Sequence, residues 1–256
     1  MAASRLFDLS GRTALITGSS RGIGKAIALG FAEYGADVAI HCRSTQVQAR
    51  QVAGEAAAFG VNSCVVLADL AEAGAPQALF EQTAAQLGRV DILVLNASVQ
   101  VRKHWSEITL YEFELQVTVN WRASLELIQL ALPQMISRGW GRIVTVGSVQ
   151  QVLPHPQMLV YAATKAAQEN MARNLAKQVA GTGVTVNNLA PGVIDTDRNR
   201  DVLADPNYRE RVANNIPVGF IGEPVDCVGA ALLLCSDAGR YITGVDLLVD
   251  GGMGLP

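Results

Sequence analysis

Apolar residues occur along the chain in short continuous runs rather than in alternation with polar residues. These runs lie at 13–17, 38–42, 63–67, 91–95, 142–146, 185–189 and 246–249. Strands that are apolar on both faces are typical of a sheet covered by helices on both sides. Each run therefore predicts a buried strand.

Segments with helical character separate the runs, at 25–34, 46–59, 76–87, 110–137, 161–179 and 225–235. Regular alternation of strand and helix predicts parallel strands joined by helical crossovers. No linker rich in proline, glycine or serine divides the 256 residues, and no internal repeat is found. The sequence thus predicts an α/β fold over residues 1–256, a single-domain doubly wound parallel sheet of Rossmann type with helices on both faces.

Residues 195–217 depart from this alternation because they are polar, charged and rich in asparagine and arginine. A polar segment between a strand and a helix is commonly a lid over a ligand site or a plain surface excursion. We expect a substrate lid here.

Composition restricts the partners that the chain can have. Half of the residues are hydrophobic and the formal net charge is −3. Lysine and arginine are scattered, so we expect no binding to nucleic acid or to an anionic membrane surface. No run approaches the roughly 18 apolar residues of a membrane span, and the N-terminal segment lacks a signal-peptide core. These features predict a cytoplasmic protein.

Cysteines and histidines give no indication of a metal site. The cysteines, none in a CxxC pair and all in apolar stretches, are Cys42, Cys64, Cys227 and Cys235. Buried thiols in a reducing compartment are the expectation. The histidines, which have no partner at metal-ligand spacing, are His41, His104 and His155. Core or surface roles are expected for them, and His155 together with Gln150 is a candidate for the substrate pocket.

A glycine-rich turn follows the first predicted strand, with the sequence Thr17-Gly18-Ser19-Ser20-Arg21-Gly22-Ile23-Gly24. Glycines let the backbone turn tightly and approach a pyrophosphate, and the next helix directs free N–H groups at it. The strand before the turn and the helix after it favour a dinucleotide site over a plain tight turn.

Three residues later in the chain suit hydride transfer at a carbon that bears oxygen. A phenol is a poor base at neutral pH, and a nearby ammonium improves it by stabilising the phenolate. Tyr161 and Lys165 are four residues apart on one predicted helix and therefore share a face. Ser148 ends the preceding strand and can hydrogen-bond a substrate oxygen. Each residue alone is commonly structural, but the set favours catalysis.

Other polar and glycine positions complete the pattern, namely Asp69, Asn96-Ala97, Asn120, Pro191-Gly192 and Thr196. With the TGxxxGxG loop, Ser148, the YxxxK pair and the closing VDGG at 249–252, the set resembles that of the short-chain dehydrogenase/reductase family along nearly the whole chain.

The resemblance implies an NAD(P)-dependent enzyme that interconverts a secondary alcohol and a ketone. It makes Tyr161 the general acid/base, has Lys165 also bind the nicotinamide ribose, and has Asn120 hold a water of a proton relay. Ser148 completes the catalytic set, while Thr164 has no role. The expected cofactor-binding residues are Gly18, Ser20, Arg21, Gly22, Ile23, Gly24, Arg43, Asp69, Leu70, Asn96, Ala97, Tyr161, Lys165, Pro191, Gly192, Val193 and Thr196.

Two substrate classes stay open, a sugar or polyol and a 3-oxoacyl thioester. The charged segment at 195–217 suits a hydroxylated or anionic molecule, although its outward face must be polar in any case. A nucleotide-binding protein without catalysis is a further alternative, against which the complete catalytic set counts. A nucleotide-sugar epimerase or dehydratase would need a larger substrate region.

Two positions depart from the family's NNAG motif, where this chain has Leu95 and Ser98. Glycine at the second position can adopt a positive φ that serine disfavours. We expect a differently shaped loop beside the cofactor, without loss of binding.

The cofactor preference is predicted by the end of the second strand. Relatives that prefer NAD usually have an acid there to hold the ribose hydroxyls. This chain has Cys42 followed by Arg43, and Arg21 lies in the phosphate loop. Arginines without an acid suit a 2′-phosphate, so we expect NADP, with NAD possible.

Two helices predict assembly into a homotetramer. The segment 121–135 carries apolar residues around most of its circumference, and Ala162, Ala163, Ala166 and Ala167 give the helix of Tyr161 a close-packing face. Apolar surface that the sheet does not cover usually marks an interface, unless other helices of the same subunit cover it. Family members often pair these helices and form tetramers.

Overall fold

The computed structural model describes residues 3–44 and 46–255. Within this part of the chain the apolar runs form β1 Thr13–Ile16, β2 Asp37–Cys42, β3 Ser63–Leu67, β4 Ile92–Leu95, β5 Gly141–Val146, β6 Val184–Pro191 and β7 Asp246–Val249. All pair in parallel in one sheet, in the order β3-β2-β1-β4-β5-β6-β7. The predicted fold class is confirmed.

Helices cover both faces of this sheet. They are α1 Gly22–Glu33, α2 Gln46–Ala57, α3 Ala75–Leu87, α4 Leu110–Val117, α5 Ala123–Arg138, α6 Leu159–Gln178, α7 Arg200–Leu203, α8 Pro206–Asn214 and α9 Val228–Cys235. One apolar core joins α1, α2 and α9 to the sheet, and a second joins α3, α5 and α6 to its other face. Burial on both faces explains why central strands such as β1 and β4 read as continuous apolar runs.

A helix is present over the predicted range 110–137, but its middle turn is π-helical rather than α-helical. A π-helical turn, Thr118–Arg122, separates α4 from α5 and carries Asn120. Such wider turns are often found at functional sites. Here the Asn120 amide accepts from the N–H of Val99 at 2.8 Å and donates to its carbonyl at 2.9 Å, which ties the turn to the loop after β4.

The segment 195–217, called the lid segment below, is more ordered than a polar loop. It forms α7 and α8, and Pro206 and the capping side chain of Asp205 begin α8. Buried Leu203 and Ile216 anchor the segment in a small apolar cluster with Ile221. The sequence pattern did not predict this cluster, because its apolar residues are few and lie among many charged ones.

Candidate active site

A cleft of about 700 Å³ opens at the carboxyl ends of the strands. The strand order reverses between β1 and β4, and ligands of open α/β sheets bind in the crevice at such a reversal. The predicted site residues that line the cleft are Gly18, Ser20, Arg21, Gly22, Ile23, Arg43, Asp69, Leu70, Asn96, Ala97, Ser148, Tyr161, Lys165, Pro191, Gly192, Val193 and Thr196. Gly24 and Asn120 are placed in the layer behind this lining.

The turn between β1 and α1 has the shape that a pyrophosphate needs. Gly18 and Gly22 have φ values of 66° and 57°, which favour glycine. A Cβ on Gly24 would lie 2.5 Å from the Gly18 carbonyl oxygen, so the turn packs against its own helix. The side chain of Arg21, at the N-cap position of α1, makes no capping hydrogen bond. The first N–H groups of α1 therefore suit an anion.

Asn96 holds the turn from the next strand. Its Nδ2 donates to the carbonyls of Thr17 and Gly18 at 2.8 and 3.0 Å. The hydroxyl of Thr17 accepts in return from the N–H groups of Asn96 and Ala97, both at 2.9 Å. This crossed set of bonds holds the glycine-rich turn and the loop after β4 together.

His41 was expected only as a core or surface residue, and it proves to be part of the cofactor side of the cleft. Its Nδ1 accepts from the N–H of Gly18 at 2.9 Å, and its Nε2 lies 3.0 Å from the carbonyl of Ala68. These two contacts require a neutral ring with hydrogen on Nε2. Burial lowers the pKa of His41, which favours that neutral form. The ring thus links β1, β2 and the end of β3.

The end of β2 presents a free cation to the cleft. Cys42 is buried, whereas Arg43 is exposed on the cleft wall and pairs with no carboxylate among the described residues. Arg21, by contrast, lies 3.9 Å from Asp197 of the lid segment. Arg43 is therefore the better placed of the two arginines for a phosphate group.

Tyr161 and Lys165 lie together on α6, both buried at the cleft wall. Lys165 Nζ is 5.7 Å from the centroid of the Tyr161 ring. Burial lowers the pKa of Lys165 to about 7, and the positive charge of Arg198 adds to the shift. Ser148 Oγ accepts from the N–H of Gln150 at 3.2 Å, which orients the hydroxyl at the end of β5.

Thr164, which the sequence left without a role, connects Asn120 to the helix of Tyr161. Its Oγ1 accepts from Asn120 Nδ2 at 3.0 Å and donates to the carbonyl of Tyr161 at 2.8 Å. With Val99 on its other side, the Asn120 side chain is held by protein groups.

The loop that contains Ser98 has no residue with a positive φ, and its difference in shape from the family's loop stays a prediction. Among the described residues no non-glycine residue has a positive φ. Ser98 instead receives two hydrogen bonds from Arg198 Nη2, at its carbonyl and its hydroxyl, each 2.9 Å long. The substitution thereby fastens the lid segment to the loop after β4, while Leu95 is buried in the core.

The four cysteines are free and buried. Burial raises the pKa of Cys64 to about 11 and that of Cys227 to about 12. Within residues 3–44 and 46–255 no group of cysteine, histidine and acidic side chains could hold a metal ion. No helix in this same part is long and apolar enough to cross a membrane.

Comparison with known proteins decides the family. The profile of a family described as enoyl-(acyl carrier protein) reductase matches residues 18–254. A 3β-hydroxysteroid dehydrogenase 1 of Eggerthella lenta is 34% identical over 97% of this chain and 95% of its own length. The chain belongs to the short-chain dehydrogenase/reductase family. It is accordingly an NAD(P)-dependent oxidoreductase.

Two solved family members have NADP in their crystals. A 3-oxoacyl (acyl-carrier-protein) reductase from Agrobacterium tumefaciens C58 with NADP bound superimposes with a TM-score of 0.93 and 42% identity, over 98% of this chain and 97% of that one. A gluconate 5-dehydrogenase from Burkholderia cenocepacia in complex with NADP and tartrate has a TM-score of 0.91 and 34% identity, over 98% of each chain. This chain is similar along nearly its whole length to proteins that were crystallised with NADP.

Proposed function

We propose that this dehydrogenase interconverts the ketone and secondary-alcohol forms of a polyhydroxylated acid, a sugar acid, with NADP(H) as the cofactor. The observation that carries the substrate class is the composition of the cleft beyond Ser148. That wall combines amide groups with an imidazole and a guanidinium cation, and the residues concerned are Gln100, Arg102, Gln150, His155 and Asn199.

The amide of Gln150 suits a substrate hydroxyl. Its Oε1 is buried and has no hydrogen-bond partner among the described residues. A buried acceptor without a partner costs free energy, which a hydroxyl donor from a ligand would recover. Gln150 lies two residues after Ser148, so a substrate hydroxyl bound to Gln150 would be close to the reacting carbon.

Arg102 suits a substrate carboxylate. It is half-buried in the wall, where its Nη2 donates to Asn199 Oδ1 at 3.3 Å. The other donors of its guanidinium make no hydrogen bond to the described residues, so they can bind a ligand. Burial lowers the pKa of His155, and the charge of nearby Arg102 lowers it further, which favours a neutral imidazole beside the cation. The similar gluconate 5-dehydrogenase was crystallised with tartrate, a hydroxylated dicarboxylate.

The reaction uses the catalytic set as follows. A bound nicotinamide supplies or accepts the hydride. Ser148 hydrogen-bonds the substrate oxygen and Tyr161 donates a proton to it in reduction, or accepts one in oxidation. Lys165 stabilises the phenolate and holds the ribose, while Asn120 and Thr164 keep α6 and the loop after β4 in register.

Replacement of Arg102 by Leu tests the substrate class. A charge-assisted hydrogen bond to the carboxylate is worth about 1.5–3 kcal/mol, so kcat/KM for a keto-sugar acid should fall roughly 10- to 100-fold, mainly through KM. Activity on the neutral sugar of the same chain length should change little. Steady-state kinetics on both compounds would measure this.

Arg50→Leu is the matched control, because Arg50 is exposed on α2 and does not line the cleft. Equal wild-type activity on the acid and the neutral sugar would contradict the carboxylate site. A strong preference for a 3-oxoacyl thioester would assign the chain to the other substrate class.

We propose a homotetramer with two-fold axes, in the cytoplasm, where the buried thiols would stay reduced. The assembly is supported by exposed apolar side chains on α4, the π-helical turn, α5 and the start of α6, namely Leu110, Tyr111, Phe113, Trp121, Leu125 and Leu159. Such a patch is unusual on a monomer.

Light scattering at micromolar concentration should give four times the 27.1 kDa mass of one chain. Leu125→Asp should lower that mass by breaking the helical interface, whereas Val47→Asp, at an exposed position on α2, should not. A single-chain mass for the wild type would refute the tetramer.

A further inference from the structure

Gln168 is buried on α6, one turn after Lys165, and contacts its ammonium group directly. Its Oε1 accepts from Lys165 Nζ at 2.9 Å, and Lys165 Nζ also donates to the carbonyl of Val146 at 2.7 Å. An ammonium has three donors. Two of them are therefore directed by protein acceptors, which points the third in a defined direction.

Ser124 on α5 fixes the orientation of the Gln168 amide. Gln168 Nε2 donates to Ser124 Oγ at 2.9 Å, and Ser124 Oγ donates to the carbonyl of Asn120 at 2.9 Å. The serine hydroxyl has one hydrogen, and with that hydrogen on Asn120 it can only accept from the glutamine. Since an ammonium can only donate, a flipped amide would lose both of its bonds. The oxygen of Gln168 is thus held toward Lys165.

The hydrogen bond from Lys165 to Gln168 matters because few interactions offset the cost of burying the ammonium charge. The groups that face Lys165 Nζ are the neutral carbonyl of Val146 from β5, the neutral amide of Gln168 and the ring of Tyr161. The charged residue that acts on Lys165 is Arg198 of the lid segment. Burial lowers the pKa of Lys165 most, and repulsion by Arg198 lowers it further. An acceptor oxygen favours the charged form and opposes both effects.

We propose that Gln168, oriented by Ser124, is a positioning residue that keeps the Lys165 ammonium charged and aims its third N–H at the cofactor ribose. Gln168 touches neither substrate nor cofactor and acts through Lys165. The inference rests on the role of Lys165 in the proposed function, and it adds a polar chain from the lysine to the π-helical turn of Asn120.

Titration of the Lys165 side chain by NMR in the full-length, cofactor-free protein tests this directly. The sequence has four lysines, so Lys165→Met assigns the resonance. In Gln168→Met the titration midpoint should fall by about one pH unit or more, as expected for loss of a hydrogen bond to a charge. Gln168→Glu, which keeps an acceptor and adds a negative charge, should raise the midpoint above that of the wild type.

The double variant Ser124→Ala/Gln168→Met guards against misfolding, because removal of both polar partners leaves neither one buried without a hydrogen bond. It should lower the midpoint as Gln168→Met does and weaken NADPH binding, followed by fluorescence, by about fivefold or more. Gln178→Met, the same substitution at an exposed position of α6, should change neither quantity.

An unchanged midpoint in the folded double variant, or no rise in Gln168→Glu, would overturn the positioning role. These measurements use no substrate. Their failure would therefore leave the sugar-acid assignment intact, and failure of the Arg102 experiment would leave the Gln168 result intact.

Discussion

Replacement of Tyr161 by Phe should lower kcat at least about a hundredfold while the affinity for NADP(H) stays nearly unchanged. The substitution removes the hydroxyl that donates the proton and keeps the buried ring. General acid/base catalysis is worth about 10²–10⁴ in rate. Turnover measured by cofactor absorbance and binding measured by cofactor fluorescence separate the two quantities. Lys165→Met should lower both, because Lys165 acts on the phenol and on the ribose.

Tyr208→Phe is a suitable control, since Tyr208 also lines the cleft but belongs to α8 of the lid segment. Its loss of a hydroxyl should change kcat far less than the loss at Tyr161. If Tyr161→Phe turned over like the wild type, the proton-transfer role would have to be given to another group.

The second large effect concerns cofactor choice. The wild type should prefer NADPH over NADH by about tenfold or more in kcat/KM, because Arg43 can form charge-assisted bonds with a 2′-phosphate. Cys42→Asp combined with Arg43→Ala should reverse the preference, since an acid at the end of β2 would bind ribose hydroxyls and repel a phosphate.

Arg21→Ala separates the two arginines, because Arg21 has Asp197 as a partner and should contribute less to the preference than Arg43. A tenfold wild-type preference for NADH would contradict the interpretation of Arg43.

The sheet and most helices were predictable from hydrophobic pattern alone. Strands β3 and β7 have the predicted bounds, although both lie at the edges of the sheet and are only partly buried. Central strands such as β1 and β4 are fully buried, and they read as uninterrupted apolar runs because both of their faces are covered. The π-helical turn between α4 and α5 was not predictable in this way. It depends on side-chain bonds from Asn120 to Val99, a contact between distant segments that leaves no periodic signal.

The residues missed in the site share a physical cause. His41, Thr164 and Gln168 are polar residues on strands or helices, and their partners are backbone atoms or side chains brought together only by the fold. The glycine turn and the YxxxK pair were predictable because their geometry is local. The lid segment was predicted in part. Its charged residues are evident in the sequence, whereas its small apolar cluster forms only in the fold.

The proposed reaction is tested most directly by turnover of the wild type and Tyr161→Phe side by side, with NADPH and a panel of keto-sugar acids, neutral sugars and 3-oxoacyl thioesters. We expect cofactor oxidation that is fastest with a sugar acid and at least about a hundredfold slower in the variant. Tight NADPH binding without turnover on any member of the panel would contradict it and would favour a nucleotide-binding protein without catalysis.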